Sequence, residues 1–173
     1  MTQSSLILTL IGPDRPGLVR ILAELVAERG GSWLESRMAR LAGQFAGIAL
    51  VSVPQAEIDA LTEELERLQG QGLRVTVRTG AADPPLPAGA TLQLEVVGHD
   101  RPGIVRDFTQ ALWACKVNIE ELTTDVLSGS FSGETLFRAE ARLRVPSADA
   151  AGQIRSALEH LGNELMVDIK PVA

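Results

Sequence analysis

The residues best equipped for chemistry sit in a short run that occurs twice. Gly-Pro-Asp-Arg-Pro-Gly-Leu-Val-Arg spans residues 12–20, and Gly-His-Asp-Arg-Pro-Gly-Ile-Val-Arg spans residues 98–106. Each run places an acid, a guanidinium and a Pro-Gly pair between an apolar stretch and a helix-period segment. Proline suits a first helical turn, glycine permits tight backbone geometry, and the aspartate can cap free amide donors. That structural role alone accounts for the motif. A helix start also presents unpaired N–H groups and a positive dipole end, a natural seat for a carboxylate. Arg15 and Arg101 can pair with such a carboxylate, or hold the loop through a surface ion pair of small worth. Both readings remain open from the residues alone.

Other reactive side chains are few. The two histidines are His99, whose counterpart in the first run is Pro13, and His160 at the end of a helix-period segment. Neither has the cysteine or histidine neighbours of a metal site. Cys115, the single cysteine, falls on an apolar helical stripe and reads as a core thiol. It can build neither a disulfide framework nor a thiolate cluster within the chain. There is no Gly-x-Ser-x-Gly, phosphate loop or His-Glu-x-x-His, and the carboxylates form no distinctive constellation. The expectation is a protein with no catalytic residues, no metal and no cofactor.

Composition narrows the class further. The 173 residues are 45% hydrophobic and 22% charged, as in ordinary globular chains, with a formal net charge of −6. That balance offers no general attraction to nucleic acid or an anionic membrane. Aromatics make up 3% and tyrosine is absent, so stacking platforms for single strands are lacking too. No apolar run approaches a membrane span, and residues 1–10 have no basic leader. A cytoplasmic location is the simplest expectation.

The two runs are offset by 86 residues, from Gly12 to Gly98. The offset also aligns Leu6 and Leu8 with Leu92 and Leu94, and Glu35 with Glu121. A period this long indicates duplication of a whole domain, not a solenoid unit. Residues 1–79 form the first domain, 80–90 a Pro-, Gly- and Ala-rich linker, and 91–173 the second. Within each copy, strand-period runs (Leu6–Ile11 and Leu92–Val97) precede the turn. Helix-period stripes follow, with Leu18, Leu22, Leu25 and Val26 in one copy and Ile104, Phe108, Ala111, Leu112 and Cys115 in the other. Two strands, a second helix and a last strand complete each copy, with Ser147 where a helix N-cap is expected. The order βαββαβ, read twice, is the ferredoxin-like α+β unit with both helices on one sheet face. Asn118 to Pro146 is six residues longer than Ser32 to Pro54, which places an insertion near a hairpin tip carrying Phe131. Arg138, Arg142 and Arg144, interrupted by Glu140, read as a solvated outer sheet face or part of a module–module contact.

The succession of strand, Asp-Arg-Pro-Gly-(Leu/Ile)-Val, helix, and then a Gly or Asn segment opening the next strand resembles the ACT domain, over both halves of the chain. A stand-alone tandem pair looks most like the glycine cleavage system transcriptional repressor family. The resemblance implies two ACT-type domains packed as a pseudo-twofold pair, with a ligand between the turn of one module and strand two of the other. One such site combines Asp14, Arg15, Pro16 and Gly17 with Asn118 and Ile119. The other combines Asp100, Arg101, Pro102 and Gly103 with Ser32 and Trp33. Asn118 offers a donor and an acceptor while Trp33 is bulky, so the site with Asp14 and Asn118 is the favoured one. The implied function is amino-acid sensing, with glycine or a similar ligand changing affinity for a protein partner. That partner is a DNA-binding regulator of amino-acid metabolism or, alternatively, a metabolic enzyme served by a regulatory subunit. A scaffold whose pockets bind nothing is the third reading. Direct contact with nucleic acid or membrane is not expected, and homodimerisation through exposed sheet or helices remains open.

Overall fold

The computed structural model describes residues 2–80, 89–128, 135–147, 149–162 and 165–172. The chain divides into two compact units, Met1–Pro85 and Leu86–Ala173. Residues 81–88 of the linker, and Phe131 in the expected hairpin insertion, lie outside the described residues.

The first unit runs β1 (Gln3–Pro13), α1 (Leu18–Glu28), β2 (Ser32–Leu41), β3 (Gln44–Pro54), α2 (Ile58–Arg67) and β4 (Arg74–Thr79). The second repeats this as β5 (Ala90–His99), α3 (Ile104–Ala114), β6 (Asn118–Ser128), β7 (Thr135–Val145), α4 (Ala150–Glu159) and β8 (Met166–Pro171). Strand orders are β2-β3-β1-β4 and β6-β7-β5-β8, with every pairing antiparallel. This is the ferredoxin-like α+β fold, twice.

Period-2 patterning decides which sheet face is buried. Leu6, Leu8 and Leu10 of β1 point inward with Ala49, Val51 and Val53 of β3. Leu22 and Val26 of α1, with Leu61 and Leu65 of α2, cover them. In the second unit Leu92, Leu94 and Val96 are covered by Phe108, Leu112, Ile154 and Leu158. Cys115 packs at the margin of this core, partly buried. The second helix of that unit is capped by Asp149, without a side-chain cap bond, and not by Ser147. Ser147 instead contributes its carbonyl, which accepts the Ala150 N–H at 3.2 Å.

The first helix of each unit ends in the same way, and this end positions the start of strand two. Gly30, at φ 68°, donates to the Ala27 carbonyl, and Gly31 donates to Val26. Lys116, at φ 57°, donates to Trp113, and Val117 donates to Leu112. The left-handed closing residue is thus glycine in one copy and lysine in the other, where a Cβ meets the following carbonyl. Lys116→Gly is expected to stabilise the chain by up to about 1 kcal/mol. Chemical denaturation checks this, and an unchanged or lower midpoint counts against strain at Lys116.

Candidate functional site

The repeated turn lies where β1 passes into α1 and where β5 passes into α3. Pro102 and Gly103 occupy the two central positions of a four-residue turn closed by the Ile104 N–H on the Arg101 carbonyl at 3.2 Å. Gly103 sits at φ 84°, ψ 3°, the second central conformation of a type II turn, which a side chain adopts only with strain. Gly17 sits at φ 91°, ψ 0°. These glycines are the helix N-caps, and neither helix receives a side-chain cap. The aspartates therefore do not cap, and the prolines stand before the helix, not in its first turn. A glycine cap leaves the first-turn amides uncovered on the side from which a small anion would approach.

The charged residues of the two turns have diverged. Asp14 pairs with Arg40 near the end of β2 at 2.6 Å, and its N–H donates to the Gly43 carbonyl of the β2–β3 hairpin. Asp100 keeps only the backbone bond, from its N–H to Thr135, and its carboxylate makes no ion pair or hydrogen bond among the described residues. The arginines are reversed. Arg101 binds Asp107 at 2.7 Å. Arg15 is exposed and without a hydrogen-bond or ion-pair partner among the described residues. Asp107 accepts from Arg106 as well, at 2.8 Å. Hydrogen bonds from Arg101, then Arg106, hold its carboxyl below the ordinary range against the opposing effect of burial.

A recess of about 300 Å3 lies over the second turn, lined by Asp100, Arg101, Gly103, Thr124, Asp125 and Phe137. Along α3 an open groove of about 530 Å3 runs from Arg106 past Trp113 to Asn118 and Ile119. Ser32 and Asn118 are exposed, while Trp33 and Ile119 are partly buried against the core of their own unit. A β-bulge follows each of the last two, between Trp33 and Glu35 and between Ile119 and Glu121.

Within one unit, the turn and the start of strand two stand at opposite ends of the sheet. Ser32 pairs with Ser52, which pairs with Ser5, eight residues before Pro13 at the end of β1. At about 3.3 Å per residue, that separates them by roughly 26 Å. Asn118, aligned through Arg144 with Thr91, is equally remote from Asp100. Neither unit alone brings its own turn and strand-two residues together. The tie from Arg40 to Asp14 had no readable signal at its 26-residue spacing. The tie from Arg101 to Asp107 was within reach, since the two stand six residues apart and the first copy has Ile21 in place of the acid. Among the described residues no cluster of three His, Cys, Asp or Glu could hold a metal, and no helix is long and apolar enough to cross a membrane.

The ACT domain profile matches residues 4–79 and 90–171. The glycine cleavage system transcriptional repressor of Escherichia coli is 29% identical over 168 residues, covering 95% of this chain and 87% of that protein. A crystal structure of an unknown protein from Galdieria sulphuraria is similar with a TM-score of 0.86 and 28% identity, over 99% of this chain and 100% of that one. A crystal structure described as a candidate glycine cleavage system transcriptional repressor has a TM-score of 0.71 at 20% identity, over 99% of both chains, and shows the shared fold.

Arg101→Gln is expected to raise the Asp107 pKa towards its ordinary value, as read by carboxyl NMR titration; an unmoved value sinks the assigned cause. Because the folded-state pKa is depressed, the pair's contribution to stability is complete above the unfolded value near about pH 4. It is lost as pH falls through the folded value.

Proposed function

The chain belongs to the ACT domain family, and from that premise we propose an amino-acid-responsive regulatory protein that performs no catalysis. Its ligand is a small amino acid, glycine or serine, whose carboxylate sits at the glycine-capped helix start of the Asp-Arg-Pro-Gly turn. The observation that carries this reading is the first turn, where Arg15 has no competing partner beside uncapped α1 amides. Asp14, tied to Arg40, holds the loop in place. The second turn is the weaker carboxylate seat because Arg101 is committed to Asp107. There the unpaired Asp100 beside its recess suits the ligand's ammonium group.

Ligand binding would alter affinity for a protein partner, a DNA-binding regulator of amino-acid metabolism in the cytoplasm. Similarity to the E. coli repressor supports the transcriptional setting. The net charge of −6 favours contact with a protein over contact with DNA. Linkage then requires the partner to change ligand affinity by the factor with which the ligand changes partner affinity.

Calorimetric titration with a panel of amino acids tests the reading. Glycine or serine is expected to bind, and Arg15→Gln to weaken binding by about tenfold, the loss of one charge-assisted contact. Amide resonances of Gly17 and Leu18 should shift on binding. A panel with no binder, or shifts confined to Gly103 and Ile104, overturns the ligand or the site respectively. Capture of a metabolic enzyme in place of a DNA-binding regulator would overturn the transcriptional assignment.

A further inference from the structure

The two units bury equivalent sheet faces but expose unlike ones. On the second unit's outer face, one row across the strands reads Glu121, Arg142, Gln93, Lys170. The next row holds Glu140, Glu95 and Asp168. Several charges of this face pair with one another, Arg138 with Asp125 at 3.1 Å and Lys170 with Asp168 at 2.6 Å. Over these two rows that face is polar, and its apolar residues, Val97 and the 69% exposed Met166, lie in the row beyond. In the first unit the row equivalent to the first reads Glu35, Leu50, Ile7, Arg78. The rows beyond it carry Ile48, then Ile11, which are 52% and 48% exposed. Ile7, Ile48 and Leu50 line a shallow depression of about 230 Å3 with Glu35 and Arg37 at its edge. The fold does not demand apolar residues at Ile7, Leu50 and Ile48, whose counterparts in the second unit are Gln93, Arg142 and Glu140, although Ile11 keeps an apolar counterpart in Val97.

The charges around this apolar strip identify its occupant. The row is acidic at the β2 edge and basic at the β4 edge, with aliphatic side chains between. A twofold axis lying between two such faces and parallel to the strands sets Glu35 over the partner's Arg78, and Leu50 over the partner's Ile7. It also sets Arg37 opposite the partner's Thr76 and Arg74 opposite the partner's Ala39, so no like charges meet. A twofold across the strands would place Arg74 over the partner's Arg78 and is disfavoured. Arg78 has no ion-pair partner among the described residues. Glu35 bonds only Arg37 at 3.0 Å, with both side chains more than half exposed, an interaction of little strength. We infer that the outer face of the β2-β3-β1-β4 sheet is a self-complementary surface that pairs two copies of this chain face to face.

Aligned packing of sheet faces about 10 Å apart is a common way to bury such a surface. Four strands about 4.8 Å apart and some eight residues long present roughly 500 Å2 per copy. That lies at the low end for a specific interface, so the dimer is reversible. It requires no ligand at the turns and stands apart from the amino-acid-sensing proposal.

Sedimentation velocity of the full chain over a dilution series tests the inference. The expected result is a monomer–dimer equilibrium. Leu50→Arg, which installs the residue type found at the equivalent place in the second unit, should weaken the dimer by at least about tenfold. Arg78→Glu should weaken it by setting acid against acid, and combining it with Glu35→Arg should restore the dimer. Glu121→Arg, on the second unit, should leave the equilibrium unchanged. All are exposed or half-exposed positions, and thermal melts by circular dichroism confirm that each variant remains folded. A chain that stays monomeric throughout, a dimer indifferent to Leu50→Arg, or a double charge swap that fails to recover the dimer overturns the inference.

Discussion

A four-stranded sheet covered by helices on one side only must send every second residue of each strand under those helices, and almost everything else in this protein depends on that one-sided burial. Leu6, Leu8 and Leu10 disappear beneath α1 and α2, as Leu92, Leu94 and Val96 do beneath α3 and α4. To place a helix back over the strand it has just left, the chain must reverse direction in a few residues. The Asp-Arg-Pro-Gly turn makes this reversal, with glycine taking a backbone conformation that other residues adopt only with strain. The geometry that closes the core therefore also leaves a helix start with uncapped amides at the end of the sheet. A fold requirement and a carboxylate seat arise from the same four residues.

Duplication within one chain serves as an internal comparison. Where the copies agree, at the left-handed turn glycines and the bulges after Trp33 and Ile119, the fold is the common cause. Where they disagree, the fold has no say. Arg101 is tied down by Asp107, but the equivalent of Asp107 is Ile21, and Arg15 is left unpaired. Asp14 gains Arg40, whereas Asp100 has no such partner. One outer face carries Gln93, Arg142 and Glu140 where the other carries Ile7, Leu50 and Ile48. These differences mark the two halves for different contacts, although their cores are close equivalents.

Arginine pairs decide much of this asymmetry, and they act through geometry more than through energy. Arg29 joins the end of α1 to Glu64 and Glu57, at 2.6 and 3.2 Å. The same interaction lowers the Glu64 pKa. Pairs as exposed as the one between Arg40 and Asp14 contribute little stability each. They do limit where a loop can go and which guanidinium remains available to a ligand.

Periodicity and repetition were enough to establish the βαββαβ order, the duplication and the inward-facing set. Alternation at two and at 3.6 residues is a local property, and a repeat is visible wherever it occurs. The turn was also legible as a turn, but its details were not. Aspartate looked like the helix cap, yet glycine holds that position, because cap identity depends on where the strand delivers the chain. Ser147 was displaced by Asp149 for the same reason. Ile7, Ile11, Ile48 and Leu50 belong to strands whose local pattern cannot say which apolar residues stay outside. Sheet register, set by pairings up to dozens of residues apart, aligned Glu35, Leu50, Ile7 and Arg78 in one row. Local spacing determined which elements form; long-range pairing alone determined which side chains became neighbours, since that depends on distances no linear interval encodes.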